Sequence, residues 1–335
     1  TTGEVPMLRE RIQREPYSVW WQTMVDRVES PPVDYSNDRA KARQAKSLAF
    51  VYVIAGNVEH ARAATQLLRE IVLPSRGGDV GEPHLEADVV ALYAAAYDML
   101  HSYLSADPEA LAEIREILAE EARRLYRGIK IDVGLVPIRM HQTPHLDNWH
   151  LRVYGALGLT AWALADHPGI QNSVPADWAL RAFEMVSRTL DYQIEAVDGG
   201  FAEGPFYARY AADIHLPYLL ALKRISGIDL MVDPKVQRLH LWSLNLRLPS
   251  GRRPNIEDGH LDNFYGHYLA AVDPLGGVHR WDWETNDRGL YAPRFAEADA
   301  IALFDDAVET RPPDWGPTVI MPAAGDAVFR SDWSP

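Results

Sequence analysis

Apolar residues recur every three or four positions through most of the first two hundred residues. This spacing places them on one face of an α-helix. Asn57 is suited to cap a helix at its N-terminus, and Gly56 and Pro74 are suited to end helices. The predicted helical segments are 18–30, 39–56, 57–74, 84–104, 105–129, 148–169 and 177–200.

The predicted helices come in pairs that are joined by short connections. Within a pair, one member is mostly apolar and the other is amphipathic, which is typical of stacked helical hairpins. No fixed repeat length is visible, so a regular solenoid is disfavoured. We therefore expect a mainly α fold, an incomplete α/α toroid of helical hairpins over residues 1–315. Long loops on one face of such a ring usually carry function.

The pattern changes after residue 245, where Gly, Pro, Asn and Asp become frequent. Near the end, 318–321 and 326–333 have the alternating character of β-strands on either side of a glycine turn. We expect 316–335 to be the start of a β-sandwich domain that is truncated in this chain.

Composition narrows the class of protein. The 335 residues include no cysteine, which excludes disulfides, zinc–thiolate sites and a cysteine nucleophile. The formal net charge of −14 disfavours general nucleic-acid binding, which usually needs a basic surface. No stretch approaches the roughly 20 apolar residues of a membrane-spanning helix. These features indicate a globular protein of one large or two ordinary domains.

One segment, 139–152, gathers polar and aromatic side chains directly before an apolar helix. Three histidines in ten residues suggest a metal, but Pro144 lies between His141 and His145 and disfavours the helical spacing of a ligand pair. We therefore predict no metal here. Asp147 or Asn148 is also suited simply to cap the following helix. The candidates are Arg139, His141, His145, Asp147, Asn148, Trp149, His150 and Arg152.

A second segment, 198–210, interrupts the helical pattern. Gly199, Gly200, Gly204 and Pro205 break any helix that crosses them, and the tyrosines follow at helical spacing. The segment predicts a loop that leads directly into a helix, with tyrosines on its first turns. These residues also have purely structural interpretations. Tyr207 and Tyr210 are then ordinary interface tyrosines, and Glu203 is an ion-pair partner.

These residue types together form a set suited to β-elimination. The proton beside a uronic acid carboxylate can be removed once hydrogen bonds neutralise the negative charge, and Asn148 is suited to this task. His150 is a suitable base, because an unperturbed histidine has a pKa of about 6.5. Tyr207 is suited to protonate the leaving glycosidic oxygen. A tyrosine, with an ordinary pKa of about 10, acts as a base only beside a cation such as Arg209 or Arg152.

Four stretches in order resemble the helical N-terminal domain of heparinase II/III-type polysaccharide lyases, a group that includes related alginate lyases. They are "AAAYDMLHSYLS", "DNWHLRVYGALGLTAWAL", "DGGFAEGPFYARYA" and "AGDAVFRSDW". The resemblance implies that Asn148 neutralises the substrate carboxylate and that Tyr207 is the central catalyst. It implies for His150 the role of base toward substrates of the opposite C5 configuration, although relatives often have Asn and His adjacent and Trp149 separates them here.

The same resemblance implies a periplasmic or secreted enzyme that cleaves a uronic-acid-containing polysaccharide, such as alginate or a glycosaminoglycan. No cofactor is required by this chemistry. A C-terminal β-sandwich domain is the expected partner of the helical domain, and a structural metal in that domain is left open.

Further side chains are candidates for substrate contacts. Trp149 offers a face for sugar stacking, or belongs to the core. Arginines pair bidentately with carboxylates or sulfates, although a surface ion pair is the simpler interpretation of each alone. Arg252 and Arg253, in the third loop segment 251–267, are candidates for contacts further along the polymer. The predicted substrate-binding set is Arg139, His145, Trp149, Arg152, Glu203, Arg209 and Tyr210.

Two other functions fit the same residues. A glycoside hydrolase on an α/α toroid needs two carboxylates that flank the bond, and Glu203 with Asp147 or Asp258 offers such a pair. Asp258 and Asp262 are more typical of side chains that fix loop geometry. A non-catalytic carbohydrate-binding protein would bind the polymer without turnover.

Overall fold

The computed structural model describes most of the chain, which divides into two compact units. The first unit comprises Thr1–His145 and Trp149–Ser187, and the second comprises Leu146–Asn148 and Arg188–Pro335. The residues that the structure describes are 2–31, 35–79, 81–133, 136–257, 259–261, 269–270, 272–286 and 298–334.

Helices account for most of the first unit. A short antiparallel hairpin, β1 (Lys130–Val133) and β2 (Val136–Arg139), separates the first six helices from the last two. The sequence pattern had not predicted this hairpin. The helices are α1 (Val5–Arg11), α2 (Tyr17–Glu29), α3 (Asp38–Ala55), α4 (Val58–Glu70), α5 (Pro83–Leu104), α6 (Pro108–Arg127), α7 (Asn148–Ala163) and α8 (Pro175–Gln193).

Local sequence signals set the ends of several helices. The Asn57 side chain accepts a hydrogen bond from the backbone N–H of Glu59 at 3.0 Å and caps α4. Asp107 caps α6 in the same way, accepting from Ala110 at 3.1 Å. Gly56 follows α3 with φ of +78°, the left-handed conformation that commonly ends a helix. The cap at Asn57 and the helix end at Gly56 confirm the predictions for these positions, whereas α4 ends at Glu70, before the predicted stop at Pro74.

The core of the first unit is organised around α5. This helix contacts α3, α4 and α6, and its sequence is apolar along most of its length. Tyr93, Tyr97, Leu100 and Leu104 on α5 are fully buried. A helix that is apolar nearly all round is stable in water only when neighbours cover it, so its composition and its central position agree.

The second unit combines helices with a C-terminal hairpin. The strands β3 (Val319–Met321) and β4 (Asp326–Val328) pair antiparallel, with Val319 opposite Val328 and Met321 opposite Asp326. Two strands on either side of a glycine turn are therefore confirmed, but the second ends at Val328 and not at 333 as predicted. The helices are α9 (Gly204–Ser226), α10 (Pro234–Asn245), α11 (Gly276–Glu284) and α12 (Ala298–Leu303).

The mainly helical class predicted from the sequence is confirmed, with small sheets as its only strand structure in the described residues. The closed arrangement of hairpins stays a prediction, as does a β-sandwich that begins at 316. In the described ranges, no helix has both the length and the hydropathy needed to cross a membrane.

The buried face of α5 provides a test of the core. Replacing Leu100 by Ala removes a fully buried side chain and leaves a cavity. We expect the free energy of unfolding to fall by about 2–5 kcal/mol, measured by urea denaturation with tryptophan fluorescence. Leu180→Ala is the matched control, because Leu180 on α8 is 57% exposed and its loss should change stability by less than about 0.5 kcal/mol. Equal losses in the two variants would contradict the assignment of α5 to the core.

Candidate functional site

Glycines shape the loop that precedes α9 in the second unit. Gly199 has φ of +82°, and a Cβ atom at this position would lie 2.2 Å from the backbone of Arg238. Gly204, the first residue of α9, has φ of +80°, and its N–H donates to the Phe201 carbonyl at 2.9 Å. Pro205 follows within the first turn. The predicted loop that leads directly into a helix is confirmed, and it places Glu203 at the helix N-terminus.

Glu203 holds Asn148 by two hydrogen bonds, and both residues belong to the second unit. The backbone N–H of Asn148 donates to Oε2 at 2.7 Å, and its side-chain Nδ2 donates to Oε1 at 2.8 Å. Asn148 is only 2% exposed. The pairing fixes the orientation of the Asn148 amide and directs Nδ2 toward the carboxylate. Among the described residues, the buried Oδ1 atom has no hydrogen-bond partner.

Tyr207 lies one helical turn beyond Glu203 on α9 and is partly exposed. Residues four positions apart on a helix are neighbours on one face, so the tyrosine ring and the Glu203 carboxylate share the start of this helix. The Tyr207 ring packs edge-on against Phe206 and Tyr210, with ring centroids 5.3 and 6.4 Å apart. These contacts orient the tyrosine without enclosing it.

Aromatic side chains surround this first turn of α9. Phe206 and Tyr210 are stacked with their rings nearly parallel, at 7° and 6.0 Å between centroids. His260 packs edge-on against Phe206 at 5.1 Å. Arg209 lies on the same helix and pairs with Asp213 at 3.7 Å. Tyr210 thus supports the aromatic cluster, and the charge of Arg209 is shared with a carboxylate.

His150 and Tyr154 are buried side by side in the first unit. The Nε2 atom of His150 lies 2.9 Å from the carbonyl oxygen of Met140, so this nitrogen carries a proton and donates it. The His150 ring stacks on Tyr154 at 6.3 Å, and only 1% of the residue is exposed.

Arg152 is enclosed in the interior of the first unit. Its guanidinium group bonds the carboxylate of Asp88, and its Nε donates to the carbonyl of His84 at 3.3 Å. Arg39, which is 38% exposed, pairs with the same carboxylate. The buried charge of Arg152 is therefore balanced within the unit. Sequence reasoning missed Asp88 because it lies 64 positions earlier, on α5, in a run with no motif.

Trp149 and His84 form a ring contact in the first unit. Their centroids lie 4.8 Å apart, and Trp149 is half-buried. Burial and the adjacent Arg152 guanidinium lower the pKa of His84, which keeps this imidazole neutral near neutral pH. One face of Trp149 is thus occupied by a neutral ring.

The remaining candidates lie in loops or at strand ends. His145 is exposed, and its backbone N–H donates to Thr143 Oγ1 at 3.2 Å. The Arg139 guanidinium donates to the Gly128 carbonyl at 2.8 Å. Arg253 is buried against Asp282, with nitrogen–oxygen distances of 2.8 and 3.0 Å. Asp258 and Asp262 lie outside the described residues.

The structure thus brings together part of the predicted set in each unit. In the second unit, Asn148, Glu203 and Tyr207 lie around the start of α9, with Tyr210 and Arg209 along the same helix. In the first unit, Trp149, His150 and Arg152 occupy the start of α7. No protein-family model matches the chain, and no curated protein matches it.

The buried ion pair between Arg152 and Asp88 provides a test of stability. Asp88→Ala leaves a buried guanidinium without its carboxylate, so we expect a loss of about 3–5 kcal/mol in the free energy of unfolding. Arg39→Ala, at the exposed side of the same carboxylate, should cost less than about 1 kcal/mol. Chemical denaturation of both variants measures the difference. Equal and small losses would show that Arg152 does not depend on Asp88.

Proposed function

We propose that this protein is a polysaccharide lyase that cleaves a uronic-acid-containing polymer by β-elimination. The observation that carries the proposal is the double hydrogen bond from Asn148 to Glu203, one turn before a partly exposed Tyr207. The resemblance of the ordered motifs to heparinase II/III-type lyases supports the same reaction. The aromatic rings around Tyr207 supply the surface that sugar rings commonly stack on.

Asn148 is the proposed neutraliser of the substrate carboxyl group. One Nδ2 proton is held by Glu203, which leaves the second Nδ2 proton and Oδ1 for the substrate. The second Nδ2–H group is able to donate to a carboxylate oxygen of the uronic acid, and Oδ1 is able to accept from a sugar hydroxyl. Asn148 is 2% exposed, so the side chains that cover its amide must move for the uronic acid to bind it.

Elimination then follows with a closed balance of atoms. The ionised oxygen of Tyr207 takes the C5 proton as base, and the electron pair of that bond forms the C4–C5 double bond. The C4–O bond breaks, and the leaving oxygen takes a proton from the Tyr207 hydroxyl. Hydrogen bonding of the neutralised carboxyl group stabilises the enolate that develops. His150 is assigned no step in this account, and its role as a base toward the other C5 epimer stays a prediction.

The hydrolase alternative depends on a proton-donating Glu203. Both of its carboxylate oxygens accept N–H hydrogen bonds from Asn148, an arrangement that suits an ionised, positioning carboxylate. Asp147 is half-exposed, and Asp258 lies outside the described residues. This contact therefore favours the lyase. The acidic polysaccharide, the β-sandwich partner and the periplasmic or secreted location stay predictions that follow from the resemblance.

The first test is ultraviolet absorbance during incubation with a panel of uronic-acid polymers. β-Elimination leaves a conjugated double bond that absorbs, whereas hydrolysis leaves none. We expect a rise with one class of polymer and a loss of at least about 100-fold in kcat for Tyr207→Phe, because general acid–base catalysis contributes about 10²–10⁴-fold. Tyr103→Phe on α5 is the matched control, since it keeps the ring that packs edge-on against Tyr52.

The outcomes of this assay separate the three functions. New reducing ends without absorbance would indicate hydrolysis. Polymer binding without either signal would indicate a carbohydrate-binding protein. Equal activity of wild type and Tyr207→Phe would show that Tyr207 is not the catalytic acid.

Glu203→Gln tests the positioning role separately. Glutamine keeps one acceptor but directs an amide donor at an N–H group of Asn148, so one hydrogen bond is lost. Loss of a hydrogen bond to a charged group corresponds to about 10- to 100-fold in rate, and we expect it in kcat with KM little changed. Glu113→Gln, an exposed carboxylate on α6 that pairs with Arg69, is the control. Complete loss of cleavage in Glu203→Gln with full activity in Tyr207→Phe would favour the hydrolase.

A further inference from the structure

His240, Asp273 and His279 form a buried cluster in the second unit, in a part of it that the proposed reaction does not use. His240 lies on α10, Asp273 precedes α11, and His279 lies on α11. Their exposed fractions are 1%, 8% and 1%. One potential ligand atom from each residue lies within 4.8 Å of the other two. Side chains of three metal-binding types thus converge on one point in the interior.

The carboxylate of Asp273 lies between the two imidazoles. Nδ1 of His240 is 2.7 Å from Oδ2, and Nε2 of His279 is 3.2 Å from Oδ1. The two rings are nearly perpendicular, at 88°. The backbone N–H of Leu275 donates to Oδ1 at 2.8 Å and fixes the carboxylate. Each carboxylate oxygen therefore faces one imidazole nitrogen.

Hydrogen bonding alone leaves this cluster incompletely satisfied. Within the described parts of the chain, the buried Nε2 of His279 has no hydrogen-bond partner of adequate geometry. The described ion pairs of Asp273 are with the two histidines and include no lysine or arginine. The described ion pairs of this buried carboxylate therefore include no permanently charged cation. Buried charges in proteins are generally paired or bind a metal, and a divalent cation at this point supplies the missing charge.

We propose that His240, Asp273 and His279 bind one divalent transition-metal ion of the zinc class. Imidazole nitrogen and carboxylate oxygen are ligands that zinc accepts, whereas calcium and magnesium prefer oxygen ligands throughout. Ligand atoms of a tetrahedral zinc site lie roughly 3.3 Å apart. The two separations from Asp273, 2.7 and 3.2 Å, are close to this spacing, and all three ligand atoms lie within 4.8 Å of one another.

The position of the site gives the ion a structural role. All three side chains are buried, and the ion joins α10 to the segment that begins α11. Burial excludes a polymeric substrate from the metal. Binding to the folded state alone stabilises that state by mass action, so the ion adds to the stability of the second unit.

Zinc binding to the full chain tests the proposal directly. After treatment with chelator and dialysis, we expect calorimetric titration with zinc chloride to give one ion per chain, with no comparable binding of calcium or magnesium. Asp273→Asn and His279→Gln should each weaken zinc binding by more than about tenfold. His260→Gln, an exposed histidine of the same unit, is the matched control and should bind zinc as wild type does.

A second measurement uses only the wild-type chain, so its result does not depend on whether the variants fold. We expect zinc to raise the midpoint of thermal unfolding of the wild-type chain in a concentration-dependent way, and EDTA to reverse the shift. Cobalt(II) bound in place of zinc should give visible absorption, and this absorption should disappear when added zinc displaces the cobalt. A folded wild-type chain with no stoichiometric zinc binding would overturn the proposal and leave a metal-free His–Asp–His hydrogen-bond cluster. Zinc binding unchanged in folded Asp273→Asn and His279→Gln would overturn it equally.

Discussion

The double hydrogen bond between Asn148 and Glu203 is the contact on which the organisation of the second unit depends. It joins positions 55 residues apart and holds the short segment Leu146–Asn148 within that unit. Gln193 adds a second tie by donating to the Leu146 carbonyl. Buried polar groups require partners, and here the partner of a buried amide is the residue at the N-terminus of α9. The contact therefore ties the segment before α7 to the N-terminus of α9, one turn before Tyr207.

Buried charges elsewhere are satisfied by a common arrangement in which one carboxylate serves two basic groups. Asp88 pairs with Arg39 and Arg152 in the first unit. Asp282 pairs with Arg247 and Arg253 in the second. In both, permanent cations balance the carboxylate. Asp273 has a similar arrangement with two imidazoles in place of guanidinium groups, and imidazole nitrogens, unlike guanidinium groups, are able to bind a metal beside this carboxylate.

Local structure followed from local signals in the sequence. The helical periodicity, the caps at Asn57 and Asp107, the left-handed Gly56 and the C-terminal strands all agree with the structure. The loop before α9 was predicted because Gly199, Gly204 and Pro205 restrict the backbone whatever surrounds them. The pairing of Lys130 with Arg139 in the first hairpin was missed, since a strand of four residues carries little periodic signal.

The sequence by itself determined the helical class, the ends of several helices and the presence of Tyr207 on the first turn of α9. These properties depend on residues within a few positions of one another, so side-chain periodicity and backbone restriction suffice to predict them. Only the tertiary structure decided that Glu203 positions Asn148, that Arg152 is enclosed against Asp88 and that His240, Asp273 and His279 converge. Each of these depends on groups separated by more than 30 positions, or on burial that packing creates. The spacing of residues along the chain predicts neither these long-range contacts nor this burial. Both arise when helices pack and bring distant residues together, and no local pattern encodes that packing.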